Sequence, residues 1–166
     1  MSTIKDVAWV PQAALDIVFA RKIMPVVLEP TKNVFGHESP ITGAGGLSVH
    51  ISVCPPGQGP CLHSHNTTYE TFMCLEGEFE FFVNEVGQEK IRLGKWDTFS
   101  CPPGVYRGFR NVSDKDSMLV TLITGVTDNR DDVSCPASVA TEIKQHGDKV
   151  FTALAGLMKF DGEFKQ

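Results

Sequence analysis

Gly57-Gln58-Gly59-Pro60-Cys61-Leu62-His63-Ser64-His65-Asn66-Thr67-Thr68-Tyr69-Glu70-Thr71-Phe72-Met73-Cys74-Leu75-Glu76-Gly77 is the stretch on which the reading of this chain turns. Two histidines stand at i and i+2, and a glutamate follows His65 five residues later, in a β-rich, aromatic neighbourhood. On an extended strand, side chains two apart project from one face, so both imidazoles reach a common point while Ser64 faces away. Beyond the short Asn66-Thr67-Thr68 turn, the chain can bring Glu70 back to that point from an adjacent strand. Two imidazoles and a carboxylate form a facial set with positions open to water, dioxygen or substrate, as non-haem iron and catalytic zinc sites require. A His-x-His pair alone is more often an ordinary surface or core feature. The glutamate and the two framing glycines in register make His63, His65 and Glu70 candidate metal ligands.

Outward from this stretch, the pattern is one of many short strands. Leu47, Val49, Ile51 and Val53 alternate with Ser48, His50 and Ser52, which predicts a strand with one buried face. Tyr69 to Val83 reads as two strands joined at a tight turn on Gly77. Lys90–Leu93, Thr98–Ser100 and Met118–Thr124 supply three more, separated by Gly94, by Pro102-Pro103-Gly104 and by Ser113-Asp114. Val86-Gly87-Gln88 reads as a turn. Such spacing implies a sandwich or barrel. Ile17 to Leu28 mixes β-branched, aromatic and basic residues ahead of Glu29-Pro30 and reads as an arm with some strand rather than a helix. After Cys135-Pro136, Ser138–Gln145 and Asp148–Lys159 are rich in Ala, Leu, Glu and Lys, with Val150, Leu154, Leu157 and Met158 at helical spacing. One or two helices capping the barrel are expected there.

The 166 residues, 42% apolar and 21% charged, suit one compact domain: a barrel core at about 47–124, an N-terminal arm at 1–46 and a helical extension at 136–166. A net charge of −5 offers no basic face for nucleic acid. No segment has the length and apolarity of a membrane span or the form of a secretory leader. Five scattered cysteines, an odd number without a CxxC pair, fit reduced thiols, and a cytoplasmic location is the expectation.

The sequence resembles the cupin superfamily, since Gly57, His63, His65, Glu70 and Gly77 match the fixed positions of its first motif at its usual spacing. Its second motif is partly present: Gly94 near the start, then Asp97, Pro102, Gly104 and Asn111. Two positions depart from it. Trp96 stands where a glycine is typical, and Arg107 stands where the family places its last metal-ligating histidine. The resemblance covers roughly Leu47 to Thr124. It implies an all-β double-stranded β-helix, a jelly-roll barrel with the metal inside, and frequent dimerisation, so a homodimer is expected. It does not imply one reaction.

Because arginine stays protonated and is no ordinary ligand, the ion would have three protein ligands. A guanidinium beside a cation is repelled unless an anion lies between them, so Arg107 is expected to anchor an anionic group of a small-molecule substrate; pairing with Glu70 or Glu80 is its plain alternative. A His-His-carboxylate set in a phenylalanine-rich barrel suits Fe(II) and dioxygenase-type chemistry first, an oxidoreductase reading. Zn, Mn or Ni with isomerase, decarboxylase or lyase chemistry comes next. A non-catalytic small-molecule-binding cupin is the reading from another class, and a metal-free structural barrel comes last. His50 is expected to face solvent, and His37 and His146 are not needed for the metal. The phenylalanines and the cysteines are read as core, with Phe72 or Phe81 as lesser candidates for lining a pocket and Tyr106 and Trp96 for its mouth.

Overall fold

A computed structural model describes residues 4–28, 39–43, 45–84, 87–125 and 132–162. His37, Glu29-Pro30 and Val86 lie outside them. In chain order the strands are β1 (Lys22–Leu28), β2 (Ile41–Thr42), β3 (Leu47–Cys54), β4 (Ser64–His65), β5 (Tyr69–Glu76), β6 (Phe79–Val83), β7 (Glu89–Leu93), β8 (Thr98–Cys101), β9 (Arg107–Asn111), β10 (Ser117–Thr124), β11 (Val133–Pro136) and β12 (Lys159–Gly162). The helices are α1 (Gln12–Val18), α2 (Ala137–Lys144) and α3 (Asp148–Ala155). No helix among the described residues is long and apolar enough to cross a membrane.

The expected all-β jelly roll is present, mostly strands with three short α-helices and a 3-10 turn at Ile4–Val7 among the described residues. A six-stranded sheet in the order β2-β1-β3-β10-β5-β8 accompanies a three-stranded sheet β7-β6-β9, and among the described residues the sheets do not join into a closed barrel. Phe72, Phe79, Phe81, Phe109, Leu119, Cys54 and Cys74 form the apolar core. The rings interlock, with Phe72 to Phe81 centroids at 4.8 Å and Phe79 meeting Phe109 edge-on at 5.7 Å. The β5–β6 turn requires glycine. Gly77 has φ +84°, and a Cβ there would lie 1.9 Å from Ser117 Oγ. Trp96 adopts a left-handed conformation, with φ +74°, and its N–H donates to Cys74 O at 2.8 Å.

Several expectations need correction. The N-terminal arm contains a helix, α1, whose Ala14 and Val18 are buried; it lies mostly ahead of the residues read as strand, and Lys22–Leu28 then forms β1. The second core explains why: Val7, Val10, Ala14 and Val18 pack with Val139, Ile143, Val150, Leu154 and Leu157. Tertiary packing, rather than local propensity, specifies this short helix. The tail helices are as expected, except that Lys159 begins β12, which pairs parallel with β11. β11 in turn pairs antiparallel with β4, and Ser64 is buried there.

Strand β3 also faces the opposite way from its expected orientation. His50, Ser52 and Cys54 point inward and are buried, while Leu47, Val49, Ile51 and Val53 are half-buried on the outer face. The strand is central, held between β1 and β10, so both faces are partly covered and apolarity no longer marks the inside.

Candidate metal centre

The inner face of the large sheet carries rows of side chains set by strand register. Ile123 lies opposite Glu70; Thr121 lies between His50 and Phe72; Leu119 lies between Ser52 and Cys74. The face therefore grades from polar to apolar. Glu70 is delivered by the inward alternation of β5 that also buries Phe72 and Cys74. His65 lies on β4, and His63 is held just before it by a two-way backbone bridge to Arg107, with His63 N to Arg107 O at 2.9 Å and Arg107 N to His63 O at 2.8 Å.

These elements bring all three proposed ligands together. One ligand atom from each of His63, His65 and Glu70 lies within 4.8 Å of the others. The Nε2 atoms of His63 and His65 stand 3.8 Å and 3.7 Å from Glu70 Oε2, too far for hydrogen bonds but suited to ligands of a shared ion.

The Nδ1 partners decide the tautomers. His63 Nδ1 lies 2.8 Å from Cys61 O, a carbonyl that can only accept. His65 Nδ1 lies 3.0 Å from Asp132 Oδ2 and 2.9 Å from Thr68 Oγ1. The Thr68 hydroxyl already donates its hydrogen to Asp132 Oδ2, so both neighbours of His65 Nδ1 are acceptors. In a neutral imidazole the proton must then sit on Nδ1, leaving Nε2 with a lone pair toward Glu70. Both rings are oriented as metal-ligating histidines are, by a hydrogen bond at the other nitrogen. Two imidazole nitrogens and a carboxylate oxygen are a donor set that could hold a divalent ion.

Charge surrounds this cluster. Arg107, wholly buried, donates from Nε and Nη2 to Glu70 Oε2 at 2.9 and 2.5 Å, and from Nη1 to Val105 O at 3.3 Å. Burial acts to raise the Glu70 pKa, but the Arg107 guanidinium, then His65 and His63, outweigh it and hold Glu70 well below the usual carboxylate range. Burial, then the Arg107 charge, push His63 down. Asp132 lies below the carboxylate range because bonds from His65, Thr68 and Thr67 overcome its burial.

A cavity of about 180 Å³ opens beside the cluster. His63, His65 and Glu70 reach it, with His50, Ser52, Thr121 and Asp132 as its other polar walls and Phe72, Phe109, Val18, Leu28, Leu157 and Met158 among its apolar ones. Of the pocket candidates, Phe72 lines it; Phe81, Tyr106, Trp96 and Arg107 are not among its lining residues. No Lys or Arg among the described residues lines it. All five cysteines are free and buried, and Cys61 and Cys135 face the cavity. Contact with Cys61 and burial push the Cys135 thiol far up, so it stays protonated.

Two site residues were not found from sequence. His50, expected in solvent, is only 4% exposed on the cavity wall, and burial pushes its pKa down to about 4. Asp132 carried no local signal.

Residues 50–123 match the family profile described as the cupin domain. No curated protein matches. Among solved structures the chain is similar to the DMSP lyase DddQ from Ruegeria pomeroyi, at 24% identity and TM-score 0.50, covering 63% of this chain and 46% of that one. It is also similar to a cupin protein from Bacteroides fragilis, at 27% identity and TM-score 0.44, covering 49% and 67%. A third similarity is to the Schizosaccharomyces pombe Cnp3 cupin domain, at 20% identity and TM-score 0.44, covering 53% of this chain and 58% of that chain's length.

Proposed function

Residues 50–123 match the cupin-domain family, and from that premise we propose that the protein is a metal-dependent enzyme acting on a small molecule in the cavity, with His63, His65 and Glu70 as ligands. One observation carries this reading: acceptor-only partners at both Nδ1 atoms leave the two Nε2 lone pairs directed at the Glu70 carboxylate, on the wall of a cavity large enough for a small substrate. Bound there, a divalent ion would supply Lewis acidity or, if it is iron, redox chemistry with dioxygen. We rank Fe(II) and dioxygenase-type oxidoreductase chemistry first, because the apolar wall around Phe72 and Phe109 limits water at the open positions. Isomerase, decarboxylase or lyase chemistry with Zn, Mn or Ni follows from the same donors.

The protein's own groups define what can bind. The apolar wall receives a hydrocarbon body, while His50 and Thr121 offer neutral polar contacts one row from Glu70 and Ser52 offers one two rows away. With a divalent ion present, Glu70, Asp132 and Arg107 leave one net positive charge, which a monoanionic substrate would cancel. Arg107 would thus favour an anion through its charge while its donors remain on Glu70 and Val105. We place the reaction in the cytoplasm and in a homodimer.

A second reading has its own observation. The Arg107 guanidinium already neutralises Glu70, as a metal would, which suits a metal-free cupin that binds a small molecule without turnover. Metal analysis of tag-free protein beside a His63→Ala/His65→Ala double variant separates the two. Near-stoichiometric iron, zinc, manganese or nickel in wild type, lost in the variant, supports the enzyme. Wild type that stays empty after anaerobic loading with Fe(II) leaves the binding protein.

A further inference from the structure

We propose that Asp132, at the start of the segment that forms β11, is the positioning residue for His65, and that docking of β11 and occupation of the metal site are coupled. This rests on the metal-site reading above. Asp132 is 2% exposed and enters the site 64 residues after Thr68. Its carboxylate receives Thr67 N at 2.6 Å, Thr67 Oγ1 at 2.7 Å, the Thr68 hydroxyl and His65 Nδ1 at 3.0 Å. Its backbone carbonyl accepts Asn66 N at 2.7 Å.

Directly after it, Val133 pairs with His65 and Ser134 with Ser64, and Asn66 Nδ2 donates to Ser134 Oγ at 3.2 Å. Residues 132–134 thereby grip His65 twice, by its backbone through β11 and by its ring through Asp132. A carboxylate that merely capped the Asn66-Thr67-Thr68 turn would need no contact with the ring. Here that contact fixes the Nδ1–H tautomer and aims Nε2 at the site. A cation on Nε2 makes Nδ1–H a stronger donor to Asp132, so binding tightens the dock, and linkage requires the dock to tighten binding by the same factor.

The test compares wild type with Asp132→Asn, Asp132→Ala and Thr67→Val, the last removing one bond to Asp132 while leaving His65 untouched. Zn(II) affinity is read by competition with a chromogenic chelator, His65 tautomer by imidazole ¹⁵N shifts of metal-free protein, and β11 docking by amide hydrogen exchange with and without Zn(II). Asp132→Asn should bind Zn(II) about 10- to 100-fold more weakly and show mixed His65 tautomers. Thr67→Val should stay within about threefold of wild type, and Zn(II) should slow exchange in β11 of wild type and Thr67→Val but not of the two Asp132 variants. Wild-type affinity and an unchanged His65 tautomer in Asp132→Asn would overturn the proposal. If wild type itself binds no Zn(II), the metal reading and the coupling both fail, and the metal-free tautomer alone decides the positioning role: Nδ1–H held in wild type and lost in Asp132→Asn supports it, and no difference overturns it.

Discussion

Replacing Arg107 with methionine removes a charge that the metal-free protein needs and the metal-loaded protein should not. Without metal, the variant leaves Glu70 buried and unpaired, since both of its guanidinium bonds are gone. Breaking one side of a buried ion pair costs about 3–5 kcal/mol. For a domain of this size each kcal/mol moves Tm by roughly 2–4 °C, so in chelator Arg107→Met should melt about 6–20 °C below wild type. A divalent ion replaces the missing positive charge and no longer meets a guanidinium, so it should bind the variant at least about tenfold tighter and raise its Tm by more. The pH dependence has a definite sign. In wild type the lowered Glu70 pKa gives stability that is present above the ordinary value of 4.5 and lost as pH falls toward the lowered one. In the variant, burial raises the Glu70 pKa, so protonation relieves it and the gap to wild type narrows near pH 4. The assay is thermal and urea denaturation in chelator and in saturating Zn(II), Mn(II) or Ni(II). Equal stability in chelator, or an equal metal-induced rise in both proteins, would refute the reasoning.

His50 should make the protein acid-sensitive. Its folded pKa, down at about 4, lies below the unfolded 6.5, so the unfolded chain binds the extra proton and stability falls as pH drops through that window. The loss from pH 7 to 5 should be about 2 kcal/mol by urea titration, smaller in His50→Gln; an unchanged acid slope in that variant rules His50 out as the cause. Gly77→Ala puts a Cβ on Ser117 Oγ at a positive φ and should cost more than about 1 kcal/mol in equilibrium denaturation; a loss within experimental error would contradict the turn geometry. Phe72→Ala removes the ring shared by Phe81, Phe99 and Phe109 and should cost about 3–5 kcal/mol, with a Tm loss under about 2 °C counting against it as a core keystone.

What the sequence made legible was local. The strand pattern, the Gly77 turn and the His63-x-His65 to Glu70 spacing each lie within a few residues, where strand periodicity and turn chemistry act directly on the chain. His50 failed for a reason that periodicity cannot repair. A strand covered on both faces has no polar outside, and an inner face that lines a cavity takes His50 and Ser52 as readily as Cys54. Helix α1 failed similarly, since its seven residues depend on contacts with α2 and α3 more than a hundred positions away.

Asp132 and Arg107 show the same limit within the site itself. Arg107 was conspicuous because it departs from a family pattern, yet sequence left its partner open between an anion, Glu70 and Glu80. Only the fold sets its guanidinium on Glu70 and its backbone against His63. Asp132 had no pattern to depart from, because its meaning comes from β11 pairing with β4. The two residues act on the cluster in opposite ways: Arg107 neutralises the carboxylate that an ion would need, while Asp132 holds an imidazole ready to receive one. The balance between that cost and that preorganisation is what metal affinity would measure, and changing Arg107 and Asp132 separately and together gives its two terms and their coupling.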